Sequence, residues 1–485
     1  MAWWLIAGLL AICATGYAAF PSTFGTKLIV PASFLLVSFL VWLLRTRPRK
    51  PLSSLQTANV LWAGLLASSF DLGVRASADP LAALTHPAGI LRLAALASAT
   101  LYGLLFLTRK QRSWRPVVST SLALFLVYLG ACLLFALVSE RPLYSAYKAI
   151  EATAPFIFLI AVIGRSPEAQ SSLWRTTIMV LAIAVGAILM VSMLDNESAF
   201  RRASYSALAS GLRWEPPILL TANGLGAVAA IMAGVAFSAF MIPQGPHRRA
   251  VYLVMFLVCG SLVYLSQART SLLALSTLII LCLVLSRRQI LLRLLITMAM
   301  IVVIVGPARI ELRDFMIRGM SNEHFWDMSG RVSAWKLSLQ AVSEQPLIGR
   351  GFGVGSRAIV EGSALNGLLE VLLAIGIVGA VPFVLAIGIM FVAGMRIAST
   401  PSIAQRDSTF WVFVLPVMII SVFRTVTSIG AGGWLTNDFL LFALVLVSIS
   451  SRSAVIRAGN GRTPASYADM QYGPVAARQV LPPQT

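Results

Sequence analysis

Apolar stretches long enough to cross a lipid bilayer recur along the whole chain, and no other feature constrains its fold as strongly. A transmembrane helix needs ~20 mostly apolar residues, and here 58% of the 485 residues are hydrophobic while only 12% are charged. Soluble domains carry about a quarter charged residues. The composition therefore excludes an ordinary soluble domain, and the abundance of apolar residues excludes disorder as the general state.

Fourteen apolar runs predict an all-α integral membrane protein, a polytopic helical bundle of about 12–14 transmembrane helices with one large loop on the outer side. The runs lie at 2–20, 28–44, 55–72, 89–107, 116–138, 149–164, 174–194, 217–242, 250–266, 269–286, 289–306, 368–395, 408–423 and 438–450. The expected regions are N-terminal transmembrane helices at 1–306, the large loop at 307–367, C-terminal transmembrane helices at 368–452, and a disordered cytoplasmic tail at 453–485.

The basic residues predict the orientation of the bundle. Lys and Arg gather in the short loops that follow even-numbered runs, such as 45–50 and 109–115, and such loops face the cytoplasm. Both termini are then expected to be cytoplasmic. On this assignment 21 of the 38 basic residues, but only 3 of the 18 acidic residues, fall on the cytoplasmic side. Topology thus accounts for most of the net charge of +20, and we predict no nucleic-acid partner.

Metal and cofactor binding are not predicted. Each of the four cysteines stands alone inside an apolar run, and the three histidines are far apart in the sequence. No spacing typical of zinc or calcium ligands is present.

Three features on the predicted outer side carry the unusual sequence. The first is Arg269, at the outer end of an apolar run, where an arginine opposes the charge trend. A structural interpretation is an arginine whose charged end reaches the membrane surface.

The second feature lies in the large loop. Residues 331–343 predict a short amphipathic helix that begins with Arg331. One face of it is expected to carry Val332, Trp335, Leu339 and Val342. Alternating glycines between Pro346 and Gly355 predict a flexible turn. They are not flanked by a strand and a helix, so nucleotide binding is not predicted.

The third feature is Asn366 with Glu370, followed by Gly376 and Gly379. Glu370 starts an apolar run, where a carboxylate is costly unless it faces the protein interior or water. Alternatively, the carboxylate is favoured there by the helix dipole.

In this order and on this side, the three features resemble the O-antigen ligase and polysaccharide polymerase family of bacterial membrane glycosyltransferases. Arg269 and Leu273 match its Arg-x-x-x-Leu motif. Arg331 and Trp335 match its Gly-Arg-x-x-x-Trp motif. The Pro-Leu-x-Gly-x-Gly-x-Gly stretch from Pro346 to Gly353, and the spacing from Asn366 to Gly376 and Gly379, complete the set.

The sequence departs from the family at one position, because Leu365 replaces the histidine that precedes Asn366. In family ligases this histidine is thought to act as the general base or to orient the acceptor, and leucine can do neither. Candidate replacements are Glu361, Glu370 and His324.

The resemblance implies an active site in one large periplasmic loop of a bacterial inner-membrane protein. It implies transfer of glycan from a polyprenyl diphosphate to a sugar hydroxyl, by a metal-independent, inverting glycosyltransferase. Polymerisation of O-antigen or exopolysaccharide repeats is favoured over ligation to lipid A core because of Leu365. Arg269 and Arg331 suit a diphosphate, since a guanidinium binds phosphate oxygens in pairs and stays protonated.

The implied site comprises the catalytic candidates Arg331, Arg269, Glu361 and Glu370, with substrate contacts at Arg269, Arg331, Trp335, Gly351, Gly353, Asn366 and His324. Expected partners are the lipid-linked donor, a glycan or lipid-linked acceptor, membrane lipid and other polysaccharide-assembly proteins. Two alternatives remain: a transporter or flippase of lipid-linked glycans, and a non-catalytic family member that lost activity with its histidine.

The orientation can be tested with alkaline phosphatase, which is active only outside the cytoplasm. Fusions after residues 50, 112 and 248 should be inactive, and a fusion inside 307–367 should be active, because Lys and Arg hold short loops in the cytoplasm. A fluorescent-protein fusion at each site provides the reciprocal control. Activity of the first three fusions would contradict the assignment.

Overall fold

The computed structural model describes residues 54–70, 87–108, 117–194, 200–202, 212–214, 221–242, 245–286, 327, 331–354, 366–400, 407–428 and 436–459. The predicted runs 2–20, 28–44 and 289–306 and most of the tail lie outside these residues. So do the candidate site residues Glu361 and His324, and the departure at Leu365.

Twelve helices and one pair of short strands make up the described residues. The helices are α1 (Ser54–Ser68), α2 (Pro87–Thr108), α3 (Thr120–Phe135), α4 (Pro142–Ile163), α5 (Pro167–Leu194), α6 (Ala222–Met241), α7 (Pro246–Leu265), α8 (Arg269–Leu285), α9 (Arg331–Glu344), α10 (Gly367–Ser399), α11 (Leu415–Thr427, preceded by a π-helical turn at Phe410–Val414) and α12 (Asn437–Gly459). The strands β1 (Phe200–Arg202) and β2 (Leu212–Trp214) pair antiparallel between α5 and α6.

The structure confirms an all-α, multi-pass membrane protein. Every apolar run that falls within the described residues coincides with a helix, and nine of the described helices are long and apolar enough to cross a membrane. The helix α8 is shorter. The helix α4 begins at Pro142 rather than near 149, because proline is well suited to a first helical turn. Lys148 and Glu151 therefore lie inside this helix.

Helix α12 lies at the centre of the bundle, and aromatic rings join its neighbours to it. All nine residues from Phe439 to Val447 belong to the fully buried core. The ring of Phe125 in α3 lies 4.9 Å from Phe156 in α4 and 5.3 Å from Phe442 in α12. Lipid tails are as apolar as these side chains, so close packing rather than exclusion of water favours such contacts.

Polar side chains also link helices inside the bundle. The indole of Trp62 in α1 donates to the Thr177 hydroxyl in α5 at 2.8 Å. The indole of Trp174 in α5 donates to the Ser448 hydroxyl in α12 at 3.2 Å. Hydrogen bonds of this kind help to fix which helices are neighbours where no water competes.

Helix α10 is broken at Gly376, and the segment 346–351 takes over its lost hydrogen bonds. Gly376 has φ +61°, so the amides of Ile377 and Val378 cannot reach their usual carbonyls four residues back. They donate instead to the carbonyls of Pro346 and Leu347 at 2.8 and 3.3 Å. In return, the released carbonyls of Leu373 and Ala374 accept from the amides of Arg350 and Gly351, both at 2.8 Å. All four groups remain paired, as a buried backbone requires.

Close approach of two backbones explains why glycines occupy this contact. A Cβ at Gly349 would lie 2.6 Å from the backbone of Ala374, and a Cβ at Gly376 would lie 2.3 Å from the backbone of Leu347. Both residues also have positive φ, which L side chains adopt at a cost. The prediction of a flexible turn is therefore corrected, since the glycines let this segment pack tightly.

Replacing Gly376 tests this contact. Gly376→Ala should lower the free energy of unfolding by at least ~2 kcal/mol, because the methyl group both strains φ and displaces Leu347. Thermal unfolding of the purified protein in detergent measures the change. Gly388→Ala is the matched control in the same helix, since nothing lies within 4 Å of its added Cβ. Equal unfolding temperatures for the two variants would contradict the proposed fit.

Candidate active site

Residues at the starts of two other helices donate hydrogen bonds to backbone carbonyls at the C-terminus of α11. The last carbonyls of a helix have no partner within it and carry a partial negative charge. Here the carbonyl of Thr427 accepts from Arg331 Nη1 at 2.8 Å. The carbonyl of Val426 accepts from Asn366 Nδ2 at 2.8 Å, and that of Ser428 accepts from the Gly367 amide at 2.6 Å. The starts of α9 and α10 are thereby held at one end of the bundle.

Arg331 is the first residue of α9 and is partly buried. Burial lowers the pKa of its guanidinium, and the nearby positive charge of Arg424 lowers it further. Both effects oppose a positive charge at this position. An anion beside Arg331 would offset both effects.

Arg424, in the last turn of α11, is a second arginine at this helix end and is buried. It was not among the residues predicted from the sequence. Its Nε and Nη2 atoms both donate to Asp438 Oδ2, at 3.0 and 2.7 Å. Its Nη1 atom lies 3.4 Å from the Ser271 hydroxyl. One signal was present in the sequence: Arg424 ends an apolar run on the predicted outer side, as Arg269 begins one.

Arg269 begins α8, whose third residue, Ser271, contacts Arg424. The preceding turn is strained, because Gln267 has φ +48° without being glycine. It is also tightly packed, since a Cβ at Gly226 would lie 2.4 Å from the side chain of Ala268. Strain of this kind often marks a position that function requires. The structure thus brings the start of α8 to the same end of the bundle as Arg331.

The predicted helix at 331–343 is present as α9, but its buried face differs from the expected one. The residues with least exposure are Ala334, Ser338 and Ala341, whereas Leu339 is 54% exposed. Trp335 is partly buried, with its Nε1 atom fully covered. Small side chains form the buried face because α9 lies close against α10, where Ala341 packs on Leu373.

Gly351 and Gly353 pack against the start of α4. A Cβ at Gly351 would meet the Ser139 side chain, and a Cβ at Gly353 would lie 3.1 Å from Lys148 Cγ. The Ser145 hydroxyl donates to the Phe352 carbonyl at 3.0 Å. These contacts give both glycines a packing role, and contact with substrate stays a prediction.

Asn366 and Glu370 occupy the first turn of α10. The side-chain oxygen of Asn366 accepts from the amides of Leu368 and Leu369, at 2.9 and 3.2 Å, and so caps the helix. Glu370 is 3% exposed and lies within electrostatic range of Tyr128. Both suggestions for Glu370, an inward-facing carboxylate and one favoured by the helix dipole, agree with this position.

A further charged cluster, also missed from the sequence, lies where α2 meets α4. Glu151 Oε1 is 2.7 Å from Arg92, and its Oε2 is 2.6 Å from Lys148. The Lys148 ammonium also lies 5.0 Å from the centre of the Tyr147 ring. The cluster was not predicted because the apolar run for α4 was taken to start at residue 149, which placed Lys148 in a loop.

Replacing Asn366 tests whether its two contacts hold the start of α10. Asn366→Ala removes both, and we expect a loss of about 1–3 kcal/mol in the free energy of unfolding. Asn366→Asp keeps the capping oxygen but not the donor to Val426, so it should fall between Asn366→Ala and the unaltered protein. Thermal unfolding in lipid nanodiscs measures the series. Ser399→Ala, at the other end of α10, is the control, and an Asn366→Ala protein as stable as this control would refute the anchoring role.

Comparison with known proteins relates one segment of the chain to a known family. Residues 253–384 match the family model described as O-antigen ligase, and no curated protein matches the chain. The matched segment includes Arg269, Arg331 and Asn366, whereas Arg424 and Asp438 lie beyond it. The resemblance found in the sequence is thereby confirmed. The chain is a multi-pass membrane protein, and its residues 253–384 are similar to the O-antigen ligase family.

Proposed function

We propose that the protein transfers glycan from a polyprenyl diphosphate to a sugar hydroxyl at the periplasmic face of the bacterial inner membrane. The observation that carries this proposal is the meeting of Arg331 and Arg424 at the junction of α8, α9, α10, α11 and α12. A diphosphate leaving group needs such cations, because negative charge grows on it as the glycosidic bond breaks.

The reaction we propose is a single displacement with inversion. The acceptor oxygen attacks the anomeric carbon while the bond from that carbon to the diphosphate oxygen breaks. The bonding electron pair leaves on the diphosphate, which Arg331 and Arg269 stabilise. The hydroxyl proton passes to a general base, for which Glu370, Glu361 and His324 are the candidates in the absence of the family histidine. No metal enters this scheme, because the arginines supply the positive charge.

The substrate contacts proposed for the remaining predicted residues follow from their positions. Trp335 lies one helical turn after Arg331 on the same side of α9, where an indole can stack on a sugar ring. Asn366, Gly351 and Gly353 lie in the segments that shape the site, and His324 belongs to the same loop in the sequence. We favour polymerisation of repeats over ligation to lipid A core because Leu365 removes the histidine typical of ligases.

A transporter of lipid-linked glycans is the second candidate, and the Arg92–Glu151–Lys148 cluster is the observation that favours it. Buried ionisable groups within transmembrane helices often belong to ion or substrate pathways. However, both oxygens of Glu151 are occupied by cations, which is equally typical of a structural ion pair. Proton-coupled uptake of a lipid-linked glycan into proteoliposomes would favour transport over transfer.

Deleting the protein and complementing it tests the enzyme. We expect the deletion strain to accumulate single repeats on lipid carrier or acceptor, and expression of the unaltered protein to restore long glycans. Arg331→Ala should reduce long glycans at least ~100-fold, because a cation at the developing charge is lost. Gel electrophoresis of labelled glycans, at matched protein levels, measures the result.

Lys336→Ala is the control for this experiment, because Lys336 is exposed on the same helix. Long chains stranded on the lipid carrier would indicate a ligase instead of a polymerase. An unchanged profile in the deletion strain would count against both enzymes and favour transport or an inactive family member.

A further inference from the structure

Arg424 is fixed more firmly than Arg331, although both lie at the C-terminal end of α11. Arg424 is 5% exposed and donates twice to one oxygen of Asp438. Asp438 lies in the first turn of α12, where the helix dipole also stabilises its negative charge. The carboxylate therefore holds Arg424 by both charge and geometry.

Arg331, by contrast, donates to the neutral carbonyl of Thr427. A guanidinium prefers a carboxylate to a carbonyl, since a hydrogen bond between two charged groups is about twice as strong. Thr427, whose carbonyl Arg331 contacts, follows Arg424 by about one turn in α11, so both arginines lie at the same helix end. Asp327, just before α9, accepts from the amide and the hydroxyl of Ser333. Asp438 is held by Arg424, so Arg331 is left with the carbonyl.

We propose that Arg424 is a positioning residue that keeps Asp438 occupied, so that Arg331 remains available to a phosphate-bearing ligand. The inference rests on the proposed function, because it concerns the diphosphate end of the donor. Without Arg424, Asp438 would attract Arg331 and neutralise it. Arg424 also adds its own charge behind Arg331, which strengthens the attraction for an anion.

This role makes a prediction that a purely structural role does not. Arg424→Gln should weaken binding of an organic diphosphate by about tenfold or more, because Arg331 then pairs with Asp438. Adding Asp438→Asn removes the competing charge and should restore binding. If Arg424 and Asp438 only held helices together, the double replacement would bind no better than Arg424→Gln.

Farnesyl diphosphate is the probe for this test, with the full-length protein in lipid nanodiscs and isothermal titration calorimetry as the measurement. We expect Arg331→Gln and Arg424→Gln each to raise Kd about tenfold or more. Asp438→Asn alone should leave Kd unchanged or lower. The Arg424→Gln, Asp438→Asn protein should return to within about threefold of the unaltered protein.

Two controls keep the result interpretable. Arg141→Gln removes an exposed arginine at the same end of the bundle and should leave Kd unchanged. Thermal unfolding without probe verifies that each variant is folded. Arg424→Lys, which keeps a charge beside Asp438, should bind between Arg424→Gln and the unaltered protein.

The outcomes separate this inference from the proposed function. A protein that binds the probe equally well with and without Arg331→Gln would overturn both. If Arg331→Gln weakens binding but the double replacement at 424 and 438 stays as weak as Arg424→Gln, only the positioning role of Arg424 is wrong. Unchanged binding in Arg424→Gln would overturn it as well.

Discussion

The exchange of hydrogen bonds between the broken helix α10 and the segment 346–351 is the interaction on which the site depends. Lipid offers no partner to an unpaired backbone group, so a break inside a transmembrane helix must be repaired by protein. Here the repair is made by the glycine segment that follows α9. The same contact therefore satisfies α10 and fixes how α9 returns to the bundle.

From this contact the rest of the site follows in two directions. Towards α3 and α4, the segment continues as Gly351, Phe352 and Gly353, which pack on the serines and the lysine at the start of α4. Towards α11, the starts of α9 and α10 are tied to three consecutive carbonyls at the end of that helix. Arg331 is thereby held at a helix end whose partial negative charge favours a guanidinium, beside the fixed charge of Arg424.

The family motifs divide by physical role once the structure is known. The glycines near 349 and 376 allow two backbones to meet, and Asn366 caps α10 while it also reaches α11. We assign the contact with a charged ligand to the arginines. The residue that we assign to hold one of them ready, Arg424, comes from outside the family-matched segment, as does its partner Asp438. On this assignment, the C-terminal helices contribute to the site as well as to the membrane anchor.

The sequence alone determined the class of fold and most helix positions, because the need to match a bilayer makes each spanning segment visible as an apolar run. It also indicated Arg269, since charge at the outer end of such a run is unusual, and Arg331, through its motif at the start of a predicted loop helix. It could not show the buried face of α9, where small residues rather than Leu339 face inward. Nor could it show the pairing of Gly349 with Gly376, the ion pair of Arg424 with Asp438, or the cluster around Glu151. An apolar run shows only that a segment can lie in lipid. These contacts join residues far apart in the chain, so only the tertiary packing of the helices decided them.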